Sequence, residues 1–123
     1  MNVSTMMLGK LLGATSTALP RLPASAREEL GDLTIEGLNL KRELGSRMNE
    51  SQPQTRQNIF AWHKKVESYL ATLPLGKTYV ARFNNRKPTA MGFNGTQENS
   101  NAMLFLHNDL EKLDEFIKEK TTL

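Results

Sequence analysis

The sequence contains no cysteine and only one tryptophan among its 123 residues. Without cysteine the chain has no disulfide framework, no thiolate nucleophile and no metal site built on sulfur ligands. It also lacks a run of about eighteen consecutive apolar residues, so no segment is predicted to span a membrane. The 38% of hydrophobic and 24% of charged residues are typical of a globular protein of one domain.

Acidic residues are absent from the first 27 positions, where serine and threonine are frequent and the charges are Lys10, Arg21 and Arg27. We therefore predict a flexible leader over residues 1–24 and a single domain over residues 25–123. The leader has three interpretations: a frayed terminus, an organellar presequence or the leader of a secreted protein. We expect a cytoplasmic protein, with export or organellar targeting through residues 1–27 as the alternative.

Positive charge is concentrated in the middle of the chain. Residues 1–50 carry six lysines and arginines against six acids, and residues 94–123 carry three against six. Residues 51–93 carry seven against Glu67 alone. The net charge of +3 therefore hides one strongly basic third, where an acidic partner is expected to bind.

Two helices are predicted in the first half of the chain. Apolar positions at alternating spacings of three and four indicate an amphipathic helix over Leu30, Leu33, Gly37, Leu40, Leu44 and Met48. Ser25 and Glu28 can form a capping box at its start, and a short strand or a break near Gly37 is the alternative to a continuous helix. The second helix follows Pro53 and carries one apolar stripe that includes Ile59, Trp62, His63, Val66, Tyr69, Leu70 and Leu73.

A small sheet is predicted between Lys77 and His107. Residues 77–83 and 89–93 alternate as β-strands around a turn at 84–88, and the apolar run 102–107 follows a polar loop. A helix with Asn108 as its N-cap completes the chain. The predicted fold class is α+β, with two N-terminal helices, a three-stranded, mainly antiparallel sheet and a C-terminal helix.

No residue constellation in the sequence indicates catalysis. Gly76–Thr78 matches the end of a phosphate-binding loop, but the motif needs a glycine where Ala71 stands and a helix where a strand is predicted. His63 and His107 are the only histidines, and two lysines next to His63 oppose a metal cation there. We therefore expect no catalytic residue, no metal and no cofactor.

Six basic residues form the predicted binding surface: Lys64, Lys65, Lys77, Arg82, Arg86 and Lys87. The predicted hairpin would bring several of them onto one ridge. We expect a non-enzymatic regulator, adaptor, inhibitor or secreted effector that contacts an acidic protein through this basic hairpin. The alternative is a nucleic-acid-binding protein that uses the same residues to contact phosphates.

Overall fold

The computed structural model describes residues 22–86 and 92–119. These residues form four helices: α1 (Ala24–Gly45), α2 (Pro53–Ala71), α3 (Gly76–Phe83) and α4 (Gln97–Lys118). Among these described elements, α2 and α4 each pack against the other three, whereas α1 and α3 do not contact each other. None of the four helices combines the length and the hydrophobicity that a membrane span requires.

The predicted sheet is wrong, because the described residues contain no strand. The first predicted strand, residues 77–83, lies in α3, and the third, residues 102–107, lies inside α4. Of the second predicted strand, only residues 92–93 are described, and they are neither strand nor helix. The fold class is therefore corrected from α+β to all-helical.

The alternation that suggested the first strand also fits a helix. Tyr79 and Phe83 are four residues apart, and both are buried in α3, while Ala81 between them is exposed. The ring of Tyr79 meets that of Phe116 edge to face, with 5.1 Å between centroids. A short apolar run fits the two periods equally well, so burial against α2 and α4 decides for the helix.

The predicted third strand is part of the longest apolar stripe of α4. Buried residues at helical spacing include Ala102, Met103, Leu106, Leu110, Leu113 and Phe116. The helix begins eleven residues before Asn108, at Gln97, where the Thr96 side chain accepts a hydrogen bond from the Asn99 backbone N–H at 3.1 Å. Asn108 is therefore an interior residue of α4 and not its N-cap.

Two buried amide side chains fix the loop between α1 and α2. Asn99 of α4 donates to the carbonyl oxygens of Met48 and Glu50 at 2.8 and 2.7 Å. Gln52 donates to those of Leu44 and Arg47 at 2.9 and 2.8 Å. The carbonyl oxygens of Leu44, Arg47 and Met48 also accept backbone N–H groups, so the two side-chain amides reinforce a loop that is already hydrogen-bonded.

Gly76–Thr78 begins α3, so the predicted strand was the wrong reason to reject a phosphate-binding loop. The packing of Gly76 supplies a better reason. A Cβ added there would lie 2.6 Å from the carbonyl oxygen of Ala71 and 2.8 Å from that of Leu70. Because the carbonyl end of α2 lies against the start of α3, this helix N-terminus does not form an open anion cradle.

Gly37 allows α1 to approach α2 closely at Trp62. A Cβ added to Gly37 would lie 2.6 Å from Cζ2 of Trp62 and 2.8 Å from Cδ2 of Leu110. The indole N–H of Trp62 donates to the carbonyl oxygen of Leu33 at 2.9 Å. The helix α1 is continuous through Gly37, so the glycine provides space for packing and does not mark a break.

Replacing Gly37 by alanine is expected to lower the free energy of unfolding by about 1–3 kcal/mol, because the added methyl group collides with Trp62. Gly31 lies in the same helix, and a Cβ added there has no atom within 4 Å. The Gly31→Ala variant should gain about 0.5–1 kcal/mol from helix propensity. Urea unfolding followed by circular dichroism measures both variants, and equal effects would contradict close packing at Gly37.

Candidate functional site

Polar side chains from α2, α4 and the segment after α3 meet in one cluster, which is buried at His63 and Asp109 and reaches the surface at Asn84. We call it the buried polar cluster, and its members are His63, Glu67, Asn84, Arg86 and Asp109. Nδ1 of His63 lies 2.7 Å from Oδ2 of Asp109, and Nη2 of Arg86 donates to Oδ1 of Asp109 at 2.7 Å. Because the side chain of Asp109 is 0% exposed, its negative charge depends on these two partners for compensation.

The second ring nitrogen of His63 faces the side-chain amide of Asn84. Nε2 lies 3.1 Å from Oδ1 of Asn84, whose Nδ2 donates to Glu67 at 2.6 Å and to the carbonyl oxygen of Val80 at 3.1 Å. Since the amide nitrogen already serves two acceptors, the amide oxygen faces the imidazole. Both nitrogens of His63 therefore face partners within the chain.

Aromatic rings enclose the charged part of the cluster. The His63 ring stacks on Phe83 with 4.8 Å between centroids, and the ring of Phe105 lies 4.7 Å away. The guanidinium group of Arg86 lies 3.9 Å from the centroid of Phe105. These rings keep water away from the pairs with Asp109, and the lower local dielectric strengthens them.

The carboxyl group of Glu67 is the member whose titration the cluster perturbs. The hydrogen bond from Asn84 holds the pKa of Glu67 below its ordinary value of 4.5, although partial burial opposes this shift. Lys64, with Nζ 3.2 Å from Oε1 of Glu67, and His63 lower the pKa further. The charged form of Glu67 thus stabilises the folded state, and protonation at acidic pH removes that contribution.

A second group of ion pairs fastens α3 to the end of α4. Arg82 donates to both carboxylate oxygens of Glu119, at 3.0 and 2.8 Å, and lies 3.4 Å from Glu115. Its guanidinium group is 4.8 Å from the centroid of the Phe116 ring. The hydrogen bonds that Arg82 donates to Glu119 raise the pKa of Arg82 above its ordinary value. This arginine is therefore engaged inside the molecule.

The predicted basic surface is divided among several internal contacts. Four of its six residues pair with carboxylates of the same chain: Lys64, Lys65, Arg82 and Arg86. Lys77 is exposed on α3, and no ion pair among residues 22–86 and 92–119 includes it. Lys87 lies outside the described residues. The predicted hairpin, which would have brought these residues together, is absent from the described residues, and α3 stands where its first strand was expected. The role of the basic residues in binding stays a prediction.

The hollows on the described part of the helical body include three of similar volume. The first, which we call the α1–α2 groove, has a volume of about 440 Å³ and an apolar floor of Leu40, Ala61 and Trp62. The second, the α2–α4 groove, has about 330 Å³ and includes Phe60, which is 51% exposed. The third, about 340 Å³, lies beside Arg86 and is not lined by His63 or Asp109.

Sequence reasoning placed His63 on the apolar stripe of α2 but missed its partners. A polar residue on a buried stripe indicates a buried hydrogen-bond partner, so the signal for a polar contact was present. Asn84 and Asp109 follow His63 by 21 and 46 positions, in segments whose secondary structure was predicted incorrectly. No local pattern connects residues that only the packing of α2, α3 and α4 brings together.

Comparisons of the chain with protein-family models, with curated proteins and with solved structures found no match. Within the part that the structure describes, no three histidine or carboxylate side chains are grouped so that they could hold a metal ion.

The Asp109→Asn variant is expected to lose about 3 kcal/mol of unfolding free energy, because Arg86 and His63 lose the buried charge that they contact. Asp114→Asn is the matched control in the same helix, where the carboxylate is 59% exposed and pairs with Lys118 at 3.2 Å. Its loss should stay below about 1 kcal/mol. Denaturant unfolding at neutral pH measures both, and equally small losses would contradict a stabilising role for the cluster.

Glu67→Gln is expected to change the acid dependence of stability. The wild type should exceed the variant at neutral pH, and the difference should shrink as pH falls from 4.5 through the lowered pKa of Glu67. The measurement is the unfolding free energy of the wild type and of the variant over a series of pH values. Glu50→Gln, at a carboxylate that is 66% exposed, is the control. A difference that stays constant down to low pH would contradict the lowered pKa.

Proposed function

We propose that this protein is a small non-enzymatic domain that acts by binding another protein through its helical surface. The observation that carries the proposal is the α1–α2 groove, where Leu40 and Ala61 leave apolar surface accessible beside the buried core. Trp62 lies beneath them and is 4% exposed, so it supports the groove from the core side. Open apolar surface of this kind is typical of protein-binding sites.

The buried polar cluster supports a structural role for the residues that could otherwise perform acid–base chemistry. His63 contacts Asp109 and Asn84 with its two ring nitrogens and is nearly buried. A general base must come within hydrogen-bond reach of its substrate, and the cavity beside Arg86 is not lined by His63. These contacts favour binding over catalysis.

An acidic partner at the basic residues is a less favourable form of the same proposal. Arg82 and Arg86 hold carboxylates of α4 in short, partly buried pairs, and an acidic partner would have to displace them. Phosphates of a nucleic acid would face the same competition. Because Lys64 and Lys77 are exposed, binding of an acidic protein and binding of a nucleic acid both stay predictions. The proposal rests on the groove and not on the basic residues.

Two neighbouring substitutions test which groove binds a partner. Ala61→Arg should block the α1–α2 groove, whereas Phe60→Arg changes the α2–α4 groove on the other side of α2. Quantitative capture from the native host should yield a protein that wild type and Phe60→Arg retain and Ala61→Arg loses. The purified protein should then bind directly, with the same order of affinities.

Circular dichroism of each variant verifies that the helices are intact. Capture of the same set of proteins by wild type and both variants would contradict the proposal. Loss with Phe60→Arg alone would overturn the choice of groove.

A further inference from the structure

The α1 side of the α1–α2 groove carries a row of carboxylates. Exposed acids recur along α1 at spacings that place them on one side of the helix: Glu29, Asp32, Glu36 and Glu43. Glu36 and Glu43 line the groove itself. Two members contact α2 directly, since Glu36 pairs with Lys65 at 2.9 Å and Glu43 accepts a hydrogen bond from Thr55 at 3.3 Å.

The α2 side of the groove supplies little positive charge to balance this row. Lys65 is the lysine that lines the groove, and its Nζ lies 2.9 Å from Glu36. Both side chains are about half exposed, at 58% and 48%, and exposed pairs of this kind contribute little stability. A cation from a partner can therefore replace Lys65 at Glu36 without disturbing the fold.

The local charge is opposite to that of the whole chain. The protein carries a formal net charge of +3, yet the four carboxylates of this row outnumber the two basic residues beside them, Lys65 and Arg42. Arg42 donates to the groove residue Asn39 at 2.9 Å. A basic partner is attracted to this face and repelled by the chain as a whole. The contrast in sign therefore selects both the kind of partner and the place where it binds.

We propose that the α1–α2 groove binds a basic amphipathic helix of a partner protein. Its apolar side chains would contact Leu40, Ala61 and Trp62, while its lysines or arginines would meet Glu36 and Glu43. An amphipathic helix presents apolar residues at i, i+3, i+4 and i+7, which suits a groove between two helices. This inference rests on the proposed function and adds the chemistry of the partner to it.

The single tryptophan of the chain lines the groove and serves as an internal reporter. The probe is a synthetic, tryptophan-free helical peptide of leucine and lysine, roughly 18 residues long, with its leucines on one face. Its addition to the full-length protein should change Trp62 fluorescence saturably, and higher salt should weaken binding. A peptide with glutamate in place of lysine should not bind.

A pair of double variants separates the groove from general charge effects. Glu36→Lys with Glu43→Lys should weaken peptide binding about tenfold, since two favourable contacts become repulsive. Glu111→Lys with Asp114→Lys makes the same change in net charge on exposed residues of α4 and should have little effect. Unchanged binding by the first variant, or equal weakening by both, would overturn the inference.

The same variants distinguish this inference from the proposed function. If a captured partner is lost with Ala61→Arg but still binds the Glu36→Lys, Glu43→Lys variant, the protein-binding function stands and the basic helix is wrong. A synthetic peptide of residues 1–21, which contains Lys10 and Arg21 and no acid, is the final competitor. If this peptide binds more tightly than the leucine–lysine peptide, the groove belongs to the chain's own residues 1–21 and the proposal is overturned.

Discussion

The contact of Asp109 with His63 and Arg86 is the constraint on which the arrangement of α2, α3 and α4 depends. A fully buried carboxylate is strongly destabilising unless charged or polar donors reach it at short distance. His63 on α2 and Arg86 in the segment after α3 each lie 2.7 Å from the carboxylate of Asp109 on α4. This one side chain therefore links three elements. The stacking of His63 and Arg86 on aromatic rings completes the contact.

On the opposite side of α2, shape organises the contact with α1. Gly37 brings the backbone of α1 against Trp62, and the indole N–H closes the contact with a bond to Leu33. The carboxylates of α1 lie at the surface, where Glu36 pairs with half-exposed Lys65 and Glu43 accepts a hydrogen bond from Thr55. Ion pairs are therefore short and partly buried on the α3 side of the molecule, whereas those on the α1 side are exposed. This difference is the physical basis of both functional proposals.

Long periodic segments were the predictable part of the fold, and short ones were not. The stripes of α1 and α2 extend over several turns, so the helical period outweighs the short alternation near Gly37. Tyr79 and Phe83 satisfy the strand and the helix pattern alike, and the apolar run 102–107 was too short to show its continuation through Phe116. For the buried polar cluster, the stripe of α2 indicated the position of His63, but Asn84 and Asp109 had no local signal.

The sequence by itself determined two amphipathic helices and a basic middle third, because periodicity and charge are properties of local segments. Only the tertiary structure decided that residues 77–83 and 102–107 are helical, since burial against α2 outweighs an ambiguous local preference. It also decided that Arg82 and Arg86 meet carboxylates of α4 while the acids of α1 stay exposed. Which charges compensate one another depends on distances across the fold, and those distances are absent from any local pattern of residues.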